Sequence, residues 1–282
     1  MAEILKGKPV ADALDEVTAE TVRKLKEKGM VPVLAILRVG ERSDDVSYER
    51  GALKKCEKVG VKVRSVVLPA DVEQNKFYQL LDELNNDDSV HGILLLRPLP
   101  WQLDNEKARN YLRADKDVDG CTDGSLTGIF VNKKIGFAPC TAQAVMETLK
   151  HYGIDVAGKK VAVIGRSLVV GKPLALLLMN ANATVTVCHS KTEDVSAITR
   201  EADIIVSCSG QLESVTAEYV RAGQTVIDVS IGYNDRKQKL CGDVLYEEVE
   251  PLVQAITPVP GGIGSVTTSV LVSHVVQAAL RK

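Results

Sequence analysis

The feature that most constrains the fold is a repeated alternation of short apolar segments with longer segments of helical periodicity. The first apolar segment, VPVLAILRVG, lies between two helical patterns, Pro9–Lys28 and Ser43–Val59. Gly29 and Gly60 directly follow these patterns, as glycine commonly does where a helix ends. Apolar runs of this length are typical of buried parallel strands, which need crossover helices between them. The alternation therefore predicts an α/β protein with mainly parallel sheets.

The alternation restarts after Gly158 and predicts a second sheet. Four apolar segments, KKVAVIG, ATVTVCH, ADIIVSC and QTVIDVSI, are joined by segments that include the helical patterns Lys172–Asn180 and Val195–Arg200. Four such strands with right-handed crossovers predict a Rossmann-like, doubly wound parallel sheet. A chain of 282 residues has about the size of two domains. We therefore expect two domains, with a boundary close to the loop at Pro139–Thr141.

Charge and composition exclude several functional classes. The formal net charge is −2, and no block of Lys and Arg is long enough to follow a phosphate backbone, so we expect no nucleic-acid partner. The apolar stretches are too short to span a membrane, and no signal-peptide pattern opens the sequence. The six cysteines are scattered without a C-x-x-C pair or a Cys/His cluster. We expect a cytoplasmic protein with free thiols and no metal.

The segment VAVIGRSLVVGKP predicts a strand-to-helix turn containing Gly165, Ser167 and Gly171. At such a turn, backbone N–H groups and the positive end of a helix dipole can hold a pyrophosphate, although the G-x-G-x-x-G spacing is absent and a purely structural turn remains an alternative. Arg166 and Ser190 suit a ribose 2′-phosphate, and the acidic residue expected for a free 2′-hydroxyl is missing. The pattern favours NADP over NAD, the alternative being that Arg166 is simply solvated.

Two other positions are candidates for contacts with a substrate. Asp119 follows Asp117 in KDVDG, where three roles are open: a metal site, turn chemistry, or recognition of an amidine-like edge such as that of a pterin. Tyr48 lies at helical spacing, where an ordinary core position is the default. Ala52 is one turn further along the same helix face.

The four histidines form no nucleophile–His–acid signature, which disfavours a hydrolase that uses such a triad.

Six segments taken together resemble the methylenetetrahydrofolate dehydrogenase/cyclohydrolase family. They are YERGALKKCEKVGV, KDVDG, PCTAQA, VAVIGRSLVVGKPLALLL, ATVTVCHSKT and TPVPGGIGSVT. The resemblance implies a folate-binding catalytic domain over residues 1–146, completed by the C-terminal helix at 267–282, and a Rossmann-like NADP domain over residues 147–266. It also implies a folate cleft at their junction, a homodimer, and a role in one-carbon metabolism and purine biosynthesis.

The resemblance also implies roles for individual residues. Tyr48 and Asp119 would be the catalytic residues, with Tyr48 packing along the folate and Asp119 holding the pterin edge, and Leu96 would line the folate site. The expected cofactor contacts are Gly165, Arg166, Ser167, Ser190 and Ile231, with Thr141 nearby. The loop expected to close over the substrate and the nicotinamide runs from Pro258 to Gly264 and includes Gly261 and Gly262.

The sequence departs from the family pattern at positions that concern water activation. Ala52 stands where the family has a lysine four residues after the tyrosine, and Leu96 stands where it has a glutamine. Ser265-Val266 replaces the usual Pro-Met. Hydride transfer removes no proton, whereas hydrolysis of the methenyl product requires water to lose one. We therefore predict an NADP-linked dehydrogenase with weak or absent cyclohydrolase activity, and a separate cyclohydrolase in the cell.

Three other interpretations remain open at this stage. A bifunctional enzyme could use Lys55, Arg50 or an ordered water in place of the missing lysine. A non-catalytic folate or nucleotide sensor would carry the same dinucleotide turn. Another small-molecule Rossmann dehydrogenase is disfavoured, because no Lys/Asp catalytic pair is visible.

Overall fold

The computed structural model describes residues 1–282 and contains ten α-helices and eleven strands. The helices are α1 (Gly7–Glu27), α2 (Ser43–Val59), α3 (Gln74–Asn86), α4 (Asn105–Tyr111), α5 (Asp123–Phe130), α6 (Cys140–His151), α7 (Gly171–Asn180), α8 (Val195–Glu201), α9 (Tyr246–Val249) and α10 (Gly264–Leu280). The strands are β1 (Glu3–Ile4), β2 (Val33–Val39), β3 (Lys62–Leu68), β4 (Gly92–Leu95), β5 (Lys160–Ile164), β6 (Thr184–Cys188), β7 (Ile204–Ser207), β8 (Thr225–Asp228), β9 (Gly232–Asn234), β10 (Lys239–Cys241) and β11 (Ala255–Ile256). None of the helices is both long and apolar enough to cross a membrane.

The chain divides into two compact units, each built on its own main sheet. The three-stranded unit comprises Asp12–Cys140 and Thr268–Lys282, and the six-stranded unit comprises Met1–Ala11 and Thr141–Thr267. The predicted domains, 1–146 with 267–282 and 147–266, differ from these units chiefly at the first eleven residues. Those residues belong to the six-stranded unit because β1 pairs with β11 there.

The three-stranded unit has a parallel sheet in the order β3-β2-β4. Its central strand β2 is apolar and closed to solvent over Leu34–Leu37, as expected for a strand covered by helices on both faces. Phe77 and Leu81 of α3 pack into the same core as Leu37 and Ile93. The carboxyl end of β4 leads into the Arg-Pro-Leu-Pro turn, which begins with a cis Arg97-Pro98 peptide.

The six-stranded unit confirms the predicted Rossmann-like sheet and extends it. Its strand order is β1-β11-β8-β7-β5-β6, and every pair is parallel. The sequence predicted four of these strands, β5 to β8. Strands β1 and β11 have two residues each, too short to show a period of two, and were therefore missed. The antiparallel β9–β10 hairpin was missed as well.

The sequence also predicts that Ser43 or Asp44 caps the helix Ser43–Val59 and that the final helix is amphipathic, and the structure shows neither feature. Helix α2 has Arg42 at its N-cap and no capping side chain, so neither Ser43 nor Asp44 caps it. Asp44 and Asp45 lie in its first turn, where their charges complement the helix dipole. Helix α10 is not amphipathic, because most of its side chains are buried, among them Leu271.

Candidate active site

The loop carrying Asp119 leaves the sheet of the three-stranded unit beside β4. Asp117 forms a parallel bridge with Ile93, which sets the following residues alongside the carboxyl end of that strand. The Asp117 carboxylate is fully buried and accepts hydrogen bonds from the Cys121 N–H at 3.1 Å, the Thr122 N–H at 2.7 Å and the Ser125 hydroxyl at 2.7 Å. Asp117 therefore braces the turn, and Asp119 remains available for recognition.

Asp119 is partly buried, and its electrostatic environment involves an arginine that the sequence analysis did not single out. Burial and the neighbouring Asp117 raise the pKa of Asp119 to about 6, whereas the positive charge of Arg97 and a hydrogen bond from the Cys140 thiol act to lower it. Arg97 is the one charged residue in the otherwise apolar run HGILLLRPLP. A single charge in such a run is the sequence signal that could have marked Arg97 as a candidate site residue. The side chains present here favour recognition by Asp119, and no His/Cys/Asp/Glu cluster suited to a metal ion was found.

Tyr48 of α2 belongs to the same cluster of side chains as Asp119. Burial raises the pKa of the Tyr48 hydroxyl well above its ordinary value, and the charges of Asp119 and Cys140 raise it further. A lysine or arginine beside the hydroxyl would lower this pKa, since a cation stabilises the phenolate. Asp119 and Cys140 are thus acidic groups that lie close enough to Tyr48 to act on its hydroxyl.

The two positions at which the sequence departs from the family pattern are closed and apolar. Ala52 has no exposed surface, and Leu96 is 6% exposed. The proposed substitute Lys55 is engaged elsewhere, because its ammonium lies 2.8 Å from the buried Asp15 carboxylate. Arg50 is exposed on the surface of α2.

The turn between β5 and α7 in the six-stranded unit has the shape of a phosphate cradle. Gly165 has a φ of +124°, and a Cβ there would lie 2.6 Å from the Cys208 carbonyl oxygen. A Cβ on Gly171 would lie 2.2 Å from the Gly165 carbonyl oxygen. Both positions therefore require glycine. Helix α7 begins after Val170, and no side chain caps its first N–H groups.

Four of the predicted cofactor residues line one cavity of about 410 Å³ at this turn: Gly165, Arg166, Ser167 and Ser190. Arg166 and Ser190 are exposed at its surface. A guanidinium, a hydroxyl and a glycine cradle are the groups that a phosphate-bearing dinucleotide requires, so the residues present fit NADP. The sequence analysis missed the lining residues that follow β7: Cys208, Ser209, Gln211, Ser214, Val215 and Tyr219.

The remaining predicted residues are not part of that cavity lining. Thr141 lies in the first turn of α6, and Ile231 is 58% exposed after β8. In the predicted closing loop, a Cβ on Gly262 would lie 2.5 Å from the Pro258 carbonyl oxygen, and the Gly261 carbonyl accepts a hydrogen bond from the Gly7 N–H at 2.8 Å. The loop is therefore tied to the beginning of α1.

Comparison with known proteins places the whole chain in one family. The model of the tetrahydrofolate dehydrogenase/cyclohydrolase catalytic domain matches residues 5–119, and that of the NAD(P)-binding domain of the same enzymes matches residues 139–282. The bifunctional protein FolD of Carboxydothermus hydrogenoformans is 50% identical over 279 residues, covering 99% of this chain and 97% of that relative.

Two solved structures agree with this assignment. The bifunctional FolD of Campylobacter jejuni has a TM-score of 0.96 at 38% identity, covering 100% of this chain and 99% of that one. The Trypanosoma brucei dehydrogenase-cyclohydrolase, solved with NADP cofactor and inhibitor, has a TM-score of 0.91 at 35% identity, covering 99% of this chain and 98% of that one. The chain therefore belongs to the tetrahydrofolate dehydrogenase/cyclohydrolase family.

Proposed function

We propose that this enzyme is an NADP-dependent 5,10-methylenetetrahydrofolate dehydrogenase whose cyclohydrolase activity is weak or absent. Its substrate would lose a hydride from the bridging carbon and become the 5,10-methenyl cation. The lone pair of the adjacent folate nitrogen drives this step, and no proton leaves. The protein mainly has to align the donor carbon with the acceptor ring.

The six-stranded unit would bind the cofactor at the β5–α7 turn. When bound, NADP supplies the nicotinamide that accepts the hydride. The glycine cradle at Gly165 and Gly171 lets the backbone approach the pyrophosphate, and Arg166 with Ser190 would hold the 2′-phosphate. Support comes from the NADP-bound Trypanosoma brucei relative and from the lack of an acidic residue directly after β6, where CHSKT follows.

The three-stranded unit would bind the folate. The Asp119 carboxylate, ionised above a pKa of about 6, can accept paired hydrogen bonds from the amidine-like edge of the pterin. Arg97 helps to keep that carboxylate ionised. The Tyr48 ring would pack along the folate, as the family resemblance implies. Asp119 and Tyr48 would therefore bind and orient the substrate, and neither needs to transfer a proton.

Hydrolysis of the methenyl cation has a different requirement. Water must add to the bridging carbon and lose a proton before the ring opens to the formyl product, and general acid/base assistance is typically worth about 10²–10⁴-fold. The observation that carries the proposal is that positions 52 and 96 are buried and hold the apolar side chains of Ala52 and Leu96, where the family pattern has a lysine and a glutamine. The cluster therefore has neither the ammonium nor the amide that would activate water.

The principal alternative is a bifunctional enzyme, because the curated relatives are named bifunctional. That name describes those proteins, whereas the proposal depends on residues 52 and 96 of this chain. The substitutes considered for the lysine are unfavourably placed, since Lys55 pairs with Asp15 and Arg50 is exposed. If this enzyme lacks cyclohydrolase activity, as proposed, a separate cyclohydrolase would be needed to consume the methenyl product.

The proposal is tested by following both products in one reaction. Purified enzyme receives methylenetetrahydrofolate and NADP at a pH where spontaneous opening of the methenyl ring is slow. NADPH and methenyltetrahydrofolate should accumulate together, with formyltetrahydrofolate appearing at the rate of an enzyme-free control to which the methenyl compound is added. The absence of any NADPH would instead favour a non-catalytic sensor.

A further inference from the structure

The final helix, α10, supplies a buried side chain that hydrogen-bonds to the loop carrying Asp119. His274 of α10 is 5% exposed, and its Nδ1 lies 2.9 Å from the carbonyl oxygen of Val118. Because a carbonyl only accepts hydrogen bonds, Nδ1 must carry the proton and donate it. The contact joins residues 156 positions apart in the sequence and fixes the peptide immediately before Asp119.

The Cys140 side chain lies beside the same carbonyl. The Cys140 thiol lies 3.3 Å from the Val118 oxygen and 3.8 Å from the His274 Nδ1, and the Cys140 N–H donates to the Asp119 carbonyl at 3.3 Å. The peptide carbonyls on both sides of the Asp119 Cα are therefore hydrogen-bonded. With both neighbouring peptide groups held, the backbone at Asp119 is constrained, and with it the direction in which the side chain leaves the Cα.

His274 is itself held firmly and carries no charge at neutral pH. Its ring lies against that of Phe137 with 4.9 Å between centroids, and the Arg281 guanidinium covers the Phe137 ring at 4.0 Å. Burial lowers the pKa of His274 to about 4, which keeps the imidazole neutral. A neutral ring with a fixed tautomer is suited to orienting a peptide group. Proton transfer to a substrate would require a group in contact with it.

We propose that His274 is a positioning residue for folate recognition, holding the Val118 peptide so that the Asp119 carboxylate faces the pterin edge. The inference rests on the proposed function, since it takes Asp119 as the pterin anchor. It predicts a selective effect: loss of the Nδ1–H donor should weaken folate binding and leave NADP binding unchanged.

The test compares two substitutions at one position. His274→Leu fills similar space without a donor and should raise the KM for methylenetetrahydrofolate by about 10-fold or more, with the KM for NADP unchanged. His274→Asn places its Nδ2–H where Nδ1–H stood and should return the KM to within about threefold of the wild-type value. If the leucine variant cannot be purified, His274→Phe, which keeps a ring against Phe137 but has no donor, takes its place.

A control separates positioning from general destabilisation. Val276→Ala removes buried side-chain volume from the same helix, where Val276 is 3% exposed, and should lower Tm without changing the folate KM. An unchanged folate KM in the leucine variant would overturn the proposal, as would an asparagine variant impaired equally. Calorimetric titration with tetrahydrofolate gives the same comparison without turnover. An enzyme that formed no NADPH would thus refute the proposed activity while the titration still decides the role of His274.

Discussion

Restoring the two missing polar groups should create the activity that this chain is proposed to lack. The perturbation is the double substitution Ala52→Lys with Leu96→Gln. Position 52 lies one helical turn from Tyr48, so a lysine there can direct its ammonium toward the phenolic oxygen. The cation would also lower the pKa of Tyr48, which Asp119 and Cys140 now raise.

The size of the effect follows from burial and from the chemistry. General acid/base catalysis is worth about 10²–10⁴-fold, and because the surrounding side chains are not arranged for it, we expect gains of about 10–100-fold over the uncatalysed hydrolysis rate. Ala52 has no exposed surface, so an unpaired ammonium would destabilise the fold by several kcal/mol. Pairing with Asp119 would offset much of this, and a fall in Tm of about 5–10 °C is expected.

The assay follows the loss of methenyltetrahydrofolate by absorbance, with and without enzyme. Ala52→Met with Leu96→Gln serves as the matched control, because it adds a long side chain and the amide but no charge. The double variant should accelerate hydrolysis, whereas the control should not. The reasoning would be refuted if both variants were equally active, or if a folded double variant with a lowered Tyr48 pKa gave no acceleration.

Three further predictions concern the cofactor and the pH profile. Arg166→Ala should raise the KM for NADP by about 10–100-fold and leave NAD kinetics unchanged, measured with the two cofactors side by side; equal losses would contradict the 2′-phosphate contact. Gly171→Ala places a Cβ 2.2 Å from the Gly165 carbonyl oxygen and should abolish NADP binding in calorimetry while folate binding persists. The folate KM should rise as the pH falls through about 6, where Asp119 is protonated. Arg97→Leu removes a charge that lowers this pKa, so the rise should begin at higher pH; an unshifted profile would exclude that role.

Much of the fold is determined locally and was predictable for that reason. Buried parallel strands such as β2 and β5 are apolar along their length, and the helices that follow end at glycine or in a turn. The two-residue strands β1 and β11 carry no such pattern, and their pairing depends on contacts between Glu3 and Ala255 across most of the chain. Local sequence therefore predicted the helices and central strands better than the edge of the six-stranded sheet.

The candidate site was predictable to a similar, limited extent. Gly165 and Gly171 were recognisable because a strand-to-helix turn leaves a pattern of small residues. Arg97 and His274 were not recognised, because their importance arises from neighbours that only the folded chain brings close. The charge of Arg97 acts on Asp119, and His274 reaches Val118 from the last helix.

The most direct measurement is the ratio of formyltetrahydrofolate to NADPH formed by the unmodified enzyme in its first turnovers, determined by rapid quenching and chromatography. With Ala52 and Leu96 in place, we expect one methenyltetrahydrofolate for each NADPH, and formyltetrahydrofolate no faster than in an enzyme-free methenyl control. A formyl product that keeps pace with NADPH would contradict the proposed loss of cyclohydrolase activity, because this enzyme would then activate water without a lysine at position 52 or a glutamine at position 96.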